Sequence, residues 1–301
     1  MSKLVLLFPG QGSQFVGMGR ELRDSSPAAR SVFEEADAVL GFPLSRLCFE
    51  GPEEELKLTA NTQPAILTHS IAAWVDLRQR FPERLAGAAF AAGHSLGEYS
   101  AQVASGALPF GTAVQLVRER GRFMQEAVPP GVGAMAAIVG LAAEEVEAAC
   151  REAAQGESVS PANYNSPEQT VIAGHAAAVA RASAGCLERG AKRAIPLPVS
   201  APFHCALMSP AREEMRPLLE STPFSDAPLP VVTNVDAEPE TVSGRRRDAL
   251  IRQIDSPVRW VASVQRLARE GVDRALEIGP GNVLAGLLRR IDRSIKVESH
   301  A

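Results

Sequence analysis

Two hydrophobic periodicities alternate along this chain. Residues Leu4 to Phe8 form an unbroken apolar run closed by Pro9-Gly10, the pattern of a strand buried on both faces of a parallel sheet. Leu85 to Gly93 is alanine-rich, ends in glycine and reads as a second buried strand. Between them, Ala28, Val32, Ala36 and Val39 recur at helical spacing over 27–40, and another helix is expected over 64–80, after Pro64. A helix over 110–127 carries the stripe Ala113, Leu116, Val117, Phe123, Met124 and Ala127. Buried strands alternating with amphipathic helices predict a doubly wound α/β architecture with a mostly parallel sheet.

The stretch 131–198 has a different order. Strand (Ala134–Val139), helix (Ala142–Ala154), strand (Ser158–Ala162), strand (Thr170–Ala173), helix (Ala176–Arg189) and strand (Ala191–Leu197) follow one another. That is βαββαβ, the ferredoxin-like arrangement, opened by Pro129-Pro130-Gly131 and closed by Pro196 and Pro198. The expected organisation is a large α/β subdomain from 1–130 and 199–301 with a small ferredoxin-like subdomain, 131–198, inserted. Beyond it, strands at Val231–Asn234 and Arg274–Ile278 and a helix over 245–254 resume the first pattern.

Composition narrows the function classes. Of 301 residues 46% are hydrophobic and 22% charged, a globular balance. A net charge of −4 leaves no basic excess to neutralise a phosphate backbone, which argues against nucleic acid as partner. Cys48, Cys150, Cys186 and Cys205 are far apart with no CxxC pair, which argues against a zinc site or a disulfide framework and fits a reducing compartment. The apolar run after Lys3 is shorter than a signal-peptide core, and no stretch reaches the ~18 apolar residues of a membrane span. A cytoplasmic protein without membrane contact is expected.

Gly93-His94-Ser95-Leu96-Gly97 is GxSxG between an apolar strand and a helical segment. In that context the serine sits on a tight strand-to-helix turn with Oγ at the carboxyl edge of the sheet, and the Leu96 N–H is the nearest candidate oxyanion donor. A serine that merely caps the helix is the alternative. Of five histidines, His300 is placed at a frayed terminus, His175 at the start of a small-subdomain helix, and His69 mid-helix as a satisfied core residue. His94 is expected to point the other way around the turn. His204, in the irregular segment Val199-Ser200-Ala201-Pro202-Phe203-His204, is the leading base. Arg120 lies inside the apolar stripe, four residues after Leu116 and four before Met124, so its guanidinium needs an anionic partner. Two readings stay open: a structural ion pair, or a bidentate clamp on a substrate carboxylate. Gln11, after the first strand, is a polar pocket wall, and Gln253 is placed to orient a histidine through its carbonyl. No acid announces itself as a triad member, and Arg245-Arg246-Arg247 reads as a solvated loop or a docking patch.

With these residues assembled, the chain resembles the malonyl-CoA:acyl-carrier-protein transacylases of type II fatty acid synthesis over residues 4 to about 293. The resemblance rests on FPGQGSQ (8–14), TQPA (62–65), GHSLGEYSA (93–101), RGRFMQEAVP (120–129), GAMAAI (133–138), NYNSPEQTVIAG (163–174), PVSAPFHCALM (198–208), NVD (234–236) and EIGPGNVLAGL (277–287). It implies a hydrolase-like core with the ferredoxin-like insert, Ser95 as acylated nucleophile, His204 as base and Arg120 as holder of the malonyl carboxylate. It further implies Gln11 and Leu96 as backbone oxyanion donors and Gln253 as the main-chain support of the histidine. Phe203 matches a malonyl-type pocket wall, and Met124, Met135 and Phe203 would narrow the pocket against water. The implied reaction is a ping-pong transfer from malonyl-CoA to holo-acyl-carrier protein, with CoA as product, no cofactor and no metal; the modest length of the chain separately suggests a monomer. Three alternatives stand beside it: a thioesterase or esterase of the α/β-hydrolase type, a non-catalytic carrier-binding subunit, and a malonyl transacylase of a polyketide or malonate decarboxylase pathway. The hydrolase reading expects a triad acid and leaves Arg120 unexplained.

Overall fold

In the computed structural model, which describes residues 2–199 and 201–301, the first strand sits where its composition sends it. Successive side chains of a strand face opposite ways. Leu4, Leu6 and Phe8 enter one apolar cluster while Val5 and Leu7 enter another on the opposite face, so only an unbroken apolar run serves the position. Met1, and Ser200 in the segment singled out around His204, lie outside the described residues.

The strands among the described residues are β1 (Lys3–Phe8), β2 (Ala88–Gly93), β3 (Gly133–Val139), β4 (Val159–Ser166), β5 (Gln169–His175), β6 (Arg193–Pro196), β7 (Val231–Val232), β8 (Pro239–Glu240), β9 (Val272–Ile278) and β10 (Lys296–His300). They form a six-stranded sheet in the order β10-β9-β1-β2-β7-β8 and a four-stranded sheet in the order β4-β5-β3-β6. The larger sheet is parallel apart from the β7–β8 pair, and the smaller is antiparallel throughout. This is a mixed α/β fold with a mostly parallel sheet and a second, antiparallel one. On β3, Ala136 and Ile138 pack with helices Ala143–Ala154 and Ala176–Glu188, whereas Met135 and Ala137 join the main core. The small sheet thereby brings one apolar face against the carboxyl end of the large one.

Several boundaries differ from the sequence reading for identifiable reasons. The helix expected over 64–80 runs Thr59–Arg80, with Pro64 inside it. Proline has no N–H for the carbonyl four residues back. The Arg118 Nη1 donates to that carbonyl, Ala60 O, at 2.8 Å, so the orphaned acceptor is satisfied from a neighbouring helix. The strand expected from Leu85 begins at Ala88, because Pro82–Leu85 forms a 3-10 turn. The strand expected to end at Ala162 continues to Ser166, and the one over Val231–Asn234 stops at Val232. The C-terminus is not frayed. β10 pairs with β9, and His300 stands opposite Ile278, with its Nδ1 3.2 Å from Arg84 Nη1 and its Nε2 3.6 Å from the Asp76 carboxylate.

The tightest packing is at the end of β2. A Cβ built on Gly97 would stand 2.0 Å from the Phe8 carbonyl oxygen, and one on Gly93 would stand 2.0 Å from the Gly97 carbonyl. Both obstacles are backbone and cannot swing aside. Gly97→Ala is therefore expected to cost about 1–3 kcal/mol of overpacking. Gly244→Ala, in helix Ser243–Gln253 with nothing within 4 Å, should be neutral or gain up to about 1 kcal/mol. Urea unfolding midpoints of the two variants measure the contrast; equal midpoints would show that the elbow backbone relaxes freely.

Candidate active site

The backbone that presents Ser95 is strained. β2 ends at Gly93, helix Gly97–Ala104 begins four residues later, and Ser95 between them has φ 51°, a left-handed conformation that L side chains rarely adopt. Three hydrogen bonds hold it. The His94 N–H donates to Phe8 O at 3.1 Å, the Ser95 N–H to Asn234 Oδ1 at 2.7 Å, and Asn234 Nδ2 to Gly93 O at 2.7 Å. Asn234 can do this because β7 stops at Val232 and frees its side chain to cross to the elbow.

His204 also has a left-handed backbone, φ 60°, and is buried. Its Nε2 lies 2.7 Å from Ser95 Oγ and its Nδ1 lies 2.9 Å from the Gln253 carbonyl oxygen. A carbonyl only accepts, so Nδ1 carries the proton and Nε2 offers its lone pair to the serine. Gln253 is the last residue of its helix, and a carbonyl there has no partner within the helix. Removal from water, reinforced by the neighbouring Arg120 charge, pushes the His204 pKa down to about 3. The base is thus unprotonated at neutral pH.

Arg120 is buried at 1% exposure on helix Phe110–Glu126. Its Nη2 donates to Ser95 Oγ at 3.1 Å and to Gln253 Oε1 at 2.9 Å, and its Nη1 donates to Gln63 Oε1 at 2.7 Å. Its Nε has no partner, and the guanidinium lies 5.6 Å from the Tyr99 ring centroid. Among the described residues no carboxylate lies within ion-pair distance of it. The structural ion pair entertained for Arg120 is therefore absent; two neutral amides hold the cation beside the nucleophile. By contrast Arg118 and Arg122 bond helix carbonyls and surface acids, and Arg246, read as solvated, is buried and donates to Ala227 O and Leu229 O.

Ser95, His204 and Arg120 share a cleft of about 130 Å³ with Gln11, Leu96, Met124, Met135, Phe203 and others. Neither the Gln11 nor the Leu96 N–H donates to an acceptor among the described residues, and both flank the cleft. The Gln11 side chain reaches Thr59 Oγ1 at 3.3 Å. Met124 and Phe203 are buried walls. The sequence reading thus has all eight of its site residues around one cleft or, for Gln253, directly behind it. His94 also lines this cleft, but its Nε2 donates to Asn165 Oδ1 at 2.8 Å and its ring packs at a tilt against Trp260. His69 is buried as expected yet has no partner for either ring nitrogen, so it is not a satisfied core histidine; burial lowers its pKa to about 4. His175 ends β5 and, as expected, stands at the start of helix Ala176–Glu188 as its N-cap residue; its Nδ1 accepts from the Ser158 N–H.

Sequence reasoning gave no role to Gln63, Asn163, Asn234 or Glu98. Each lies in a motif already singled out (TQPA, NYNSPEQTVIAG, NVD, GHSLGEYSA), but polar side chains on helices and strand ends carry no periodic signal of burial. Glu98 is fully buried; its Oε2 accepts from Gln253 Nε2 at 2.7 Å and from the Asn234 N–H at 3.0 Å. Burial raises its pKa to about 7, while the Asn234 and Gln253 donors and the Arg120 charge pull it back. Among the described residues no group of three or more His, Cys, Asp or Glu side chains is placed to hold a metal ion, and no helix is long and apolar enough to cross a membrane.

Known proteins resemble this chain over nearly its full length. Residues 5–299 match the acyl transferase domain family. The chain is 51% identical over 291 residues to the malonyl CoA-acyl carrier protein transacylase of Escherichia coli strain K12, covering 97% of this chain and 93% of that protein. It is 51% identical over 297 residues to the Bacillus subtilis protein of the same name, covering 98% and 92%. An acyl carrier protein S-malonyltransferase from Vibrio cholerae superposes with TM-score 0.96 at 49% identity over 99% of this chain and 96% of that one. A malonyl-transacylase in complex with a holo type II PKS acyl-carrier protein superposes equally well, TM-score 0.96, at 47% identity over 99% and 96%.

The depressed His204 pKa sets a pH test. The neutral imidazole is the competent base, so reactivity falls only as the pH drops through its pKa, far below 6.5. A fluorophosphonate probe should label Ser95 at rates within about twofold between pH 5.0 and 7.5, whereas a base titrating at 6.5 would lose about 30-fold. A titration midpoint near 6.5 would show that His204 is hydrated or does not serve as the base.

Proposed function

We propose, from the premise that the chain belongs to the acyl transferase domain family, that Ser95, His204 and Arg120 carry out its reaction by a ping-pong route. The chain is a malonyltransferase: it moves the malonyl group of malonyl-CoA to the thiol of acyl-carrier protein. The observation that carries the substrate reading is Arg120, a buried cation within hydrogen-bond distance of the nucleophile and balanced by no adjacent carboxylate. A neutral acyl chain has no use for it. A malonyl carboxylate does, because a guanidinium meets a carboxylate through two parallel N–H···O bonds.

His204 Nε2 takes the Ser95 proton as Oγ attacks the thioester carbonyl. The Gln11 and Leu96 N–H groups receive the oxyanion, in a site that costs no reorganisation as charge develops. Collapse breaks the carbon–sulfur bond, and the CoA thiolate leaves with the proton from His204. In the second half, His204 takes the proton of the phosphopantetheine thiol, the sulfur attacks the malonyl ester, and Ser95 recovers its proton. Arg120 holds the carboxylate throughout, and Gln253 O keeps His204 in the tautomer that accepts at Nε2. The buried Met124, Met135 and Phe203 walls limit water. No cofactor enters these steps.

We read the larger part, 1–130 and 199–301, as a hydrolase-like core and 131–198 as a ferredoxin-like insert, supported by the antiparallel order β4-β5-β3-β6 with both helices on one face. The working state is read as a cytoplasmic monomer. Fatty acid synthesis is the pathway supplied; the relative bound to a PKS carrier makes that carrier class the second acceptor to assay.

Removing a charged partner from a desolvated pocket costs about 2–5 kcal/mol. Arg120→Ala should slow acylation of Ser95 by malonyl-CoA by roughly 30-fold or more while acetyl-CoA loses much less, so the malonyl-over-acetyl preference collapses. Stopped-flow or quench-flow acylation with both thioesters measures the ratio. An unchanged preference in the variant would refute the clamp.

A further inference from the structure

Arg120 faces two demands that conflict. A buried cation needs nearby negative charge, yet a carboxylate bonded directly to it would compete with a malonyl carboxylate. The structure meets both by placing an amide between the charges. Gln253 Oε1 accepts from Arg120 Nη2 at 2.9 Å, and Gln253 Nε2 donates to Glu98 Oε2 at 2.7 Å. The remaining surroundings of Nε2 are also acceptors: Ser95 O at 3.0 Å and Asn234 Oδ1 at 3.3 Å.

A glutamine amide is nearly symmetric in shape, and its orientation is decided by its neighbours. Turned over, the NH2 of Gln253 would face the Arg120 guanidinium, donor against donor, and its oxygen would face three acceptors. Glu98 is the one carboxyl among those acceptors and the nearest, and the Asn234 and Gln253 donors and the Arg120 charge favour its ionised form. It is fully buried, its other oxygen has no partner, and its Oε2 also receives the Asn234 N–H, the residue that clamps the Ser95 turn.

We propose that Glu98 is a positioning residue that fixes the Gln253 amide and, through it, aims Arg120 at the acyl carboxylate while leaving the guanidinium free to receive it. The Glu98 carboxyl makes no hydrogen bond to the Ser95 hydroxyl; only its backbone N–H meets that residue, donating to Ser95 O at 3.0 Å. It acts through Gln253, which at the same time presents its main-chain carbonyl to His204. The inference rests on the reading of Arg120 as the carboxylate clamp.

The test is the malonyl-over-acetyl ratio of Ser95 acylation rates, which does not depend on how much of a preparation is folded. Glu98→Gln keeps the shape and replaces the carboxyl that accepts from Gln253 Nε2 and the Asn234 N–H with an amide that can itself donate; the ratio should fall about tenfold. Gln253→Met keeps the main-chain carbonyl for His204 and removes the amide; the ratio should fall comparably, and the double variant should be no worse than the poorer single one, as for two members of one relay. A ratio unchanged in Glu98→Gln, or multiplicative losses in the double variant, would overturn the proposal. If Glu98→Gln fails to fold, Gln253→Met alone decides: an unchanged ratio contradicts the relay. Arg120→Ala run in parallel separates the two layers. If it too keeps the malonyl preference, the clamp reading itself fails; if it loses the preference while Glu98→Gln keeps it, only the relay fails.

Discussion

A positive charge buried beside the nucleophile, without a carboxylate bonded to it, is the constraint around which this site is organised. Moving a guanidinium out of water is costly unless its N–H groups are bonded and its charge is offset. Here Gln63 and Gln253 supply the bonds, and the Glu98 carboxyl, whose ionised form the Arg120 charge favours, stands one amide further away. The same Gln253 supplies the carbonyl that orients His204. One residue at a helix terminus therefore joins the cation, the base and the buried acid, and its position depends on that helix ending where it does.

The second constraint is backbone geometry. Ser95 and His204 both sit at positive φ, and the turn at Ser95 is held open by Asn234 on one side and by close glycine contacts on the other. Strain of this kind persists only where surrounding structure determines it. The sheet provides that surrounding structure: Phe8 O receives the His94 N–H, so β1 and β2 hold the elbow in register with the Pro9-Gly10 loop that brings Gln11 to the cleft. The small antiparallel sheet closes the other side with Met135.

Much of this is legible in the sequence where a residue breaks a local rule. A serine between two glycines at a strand-to-helix junction, and an arginine inside an apolar helical stripe, both stand out against their periodicity. Placement at the end of an inserted subdomain singles out His204 among five histidines, and in the structure it is the one within hydrogen-bond distance of Ser95. What stays hidden is tertiary. Nothing in local patterning tells that Arg118 satisfies the carbonyl orphaned by Pro64, which lets a helix begin at Thr59 rather than at the proline. β10 is a polar edge strand, Lys-Val-Glu-Ser-His, and its identity comes from pairing with β9 rather than from its own composition. Glu98 and Asn234 are ordinary polar residues until the fold brings them to Gln253.

The central claim is a covalent malonyl intermediate on Ser95 that waits for a carrier thiol. Intact-protein mass spectrometry after brief mixing with malonyl-CoA, without acceptor, measures it directly. A malonyl-sized adduct should form, be absent in Ser95→Ala, persist without acceptor and discharge on addition of holo-acyl-carrier protein. An adduct that decays equally fast with or without the carrier would make the protein a hydrolase, and the absence of any adduct would remove Ser95 from the chemistry.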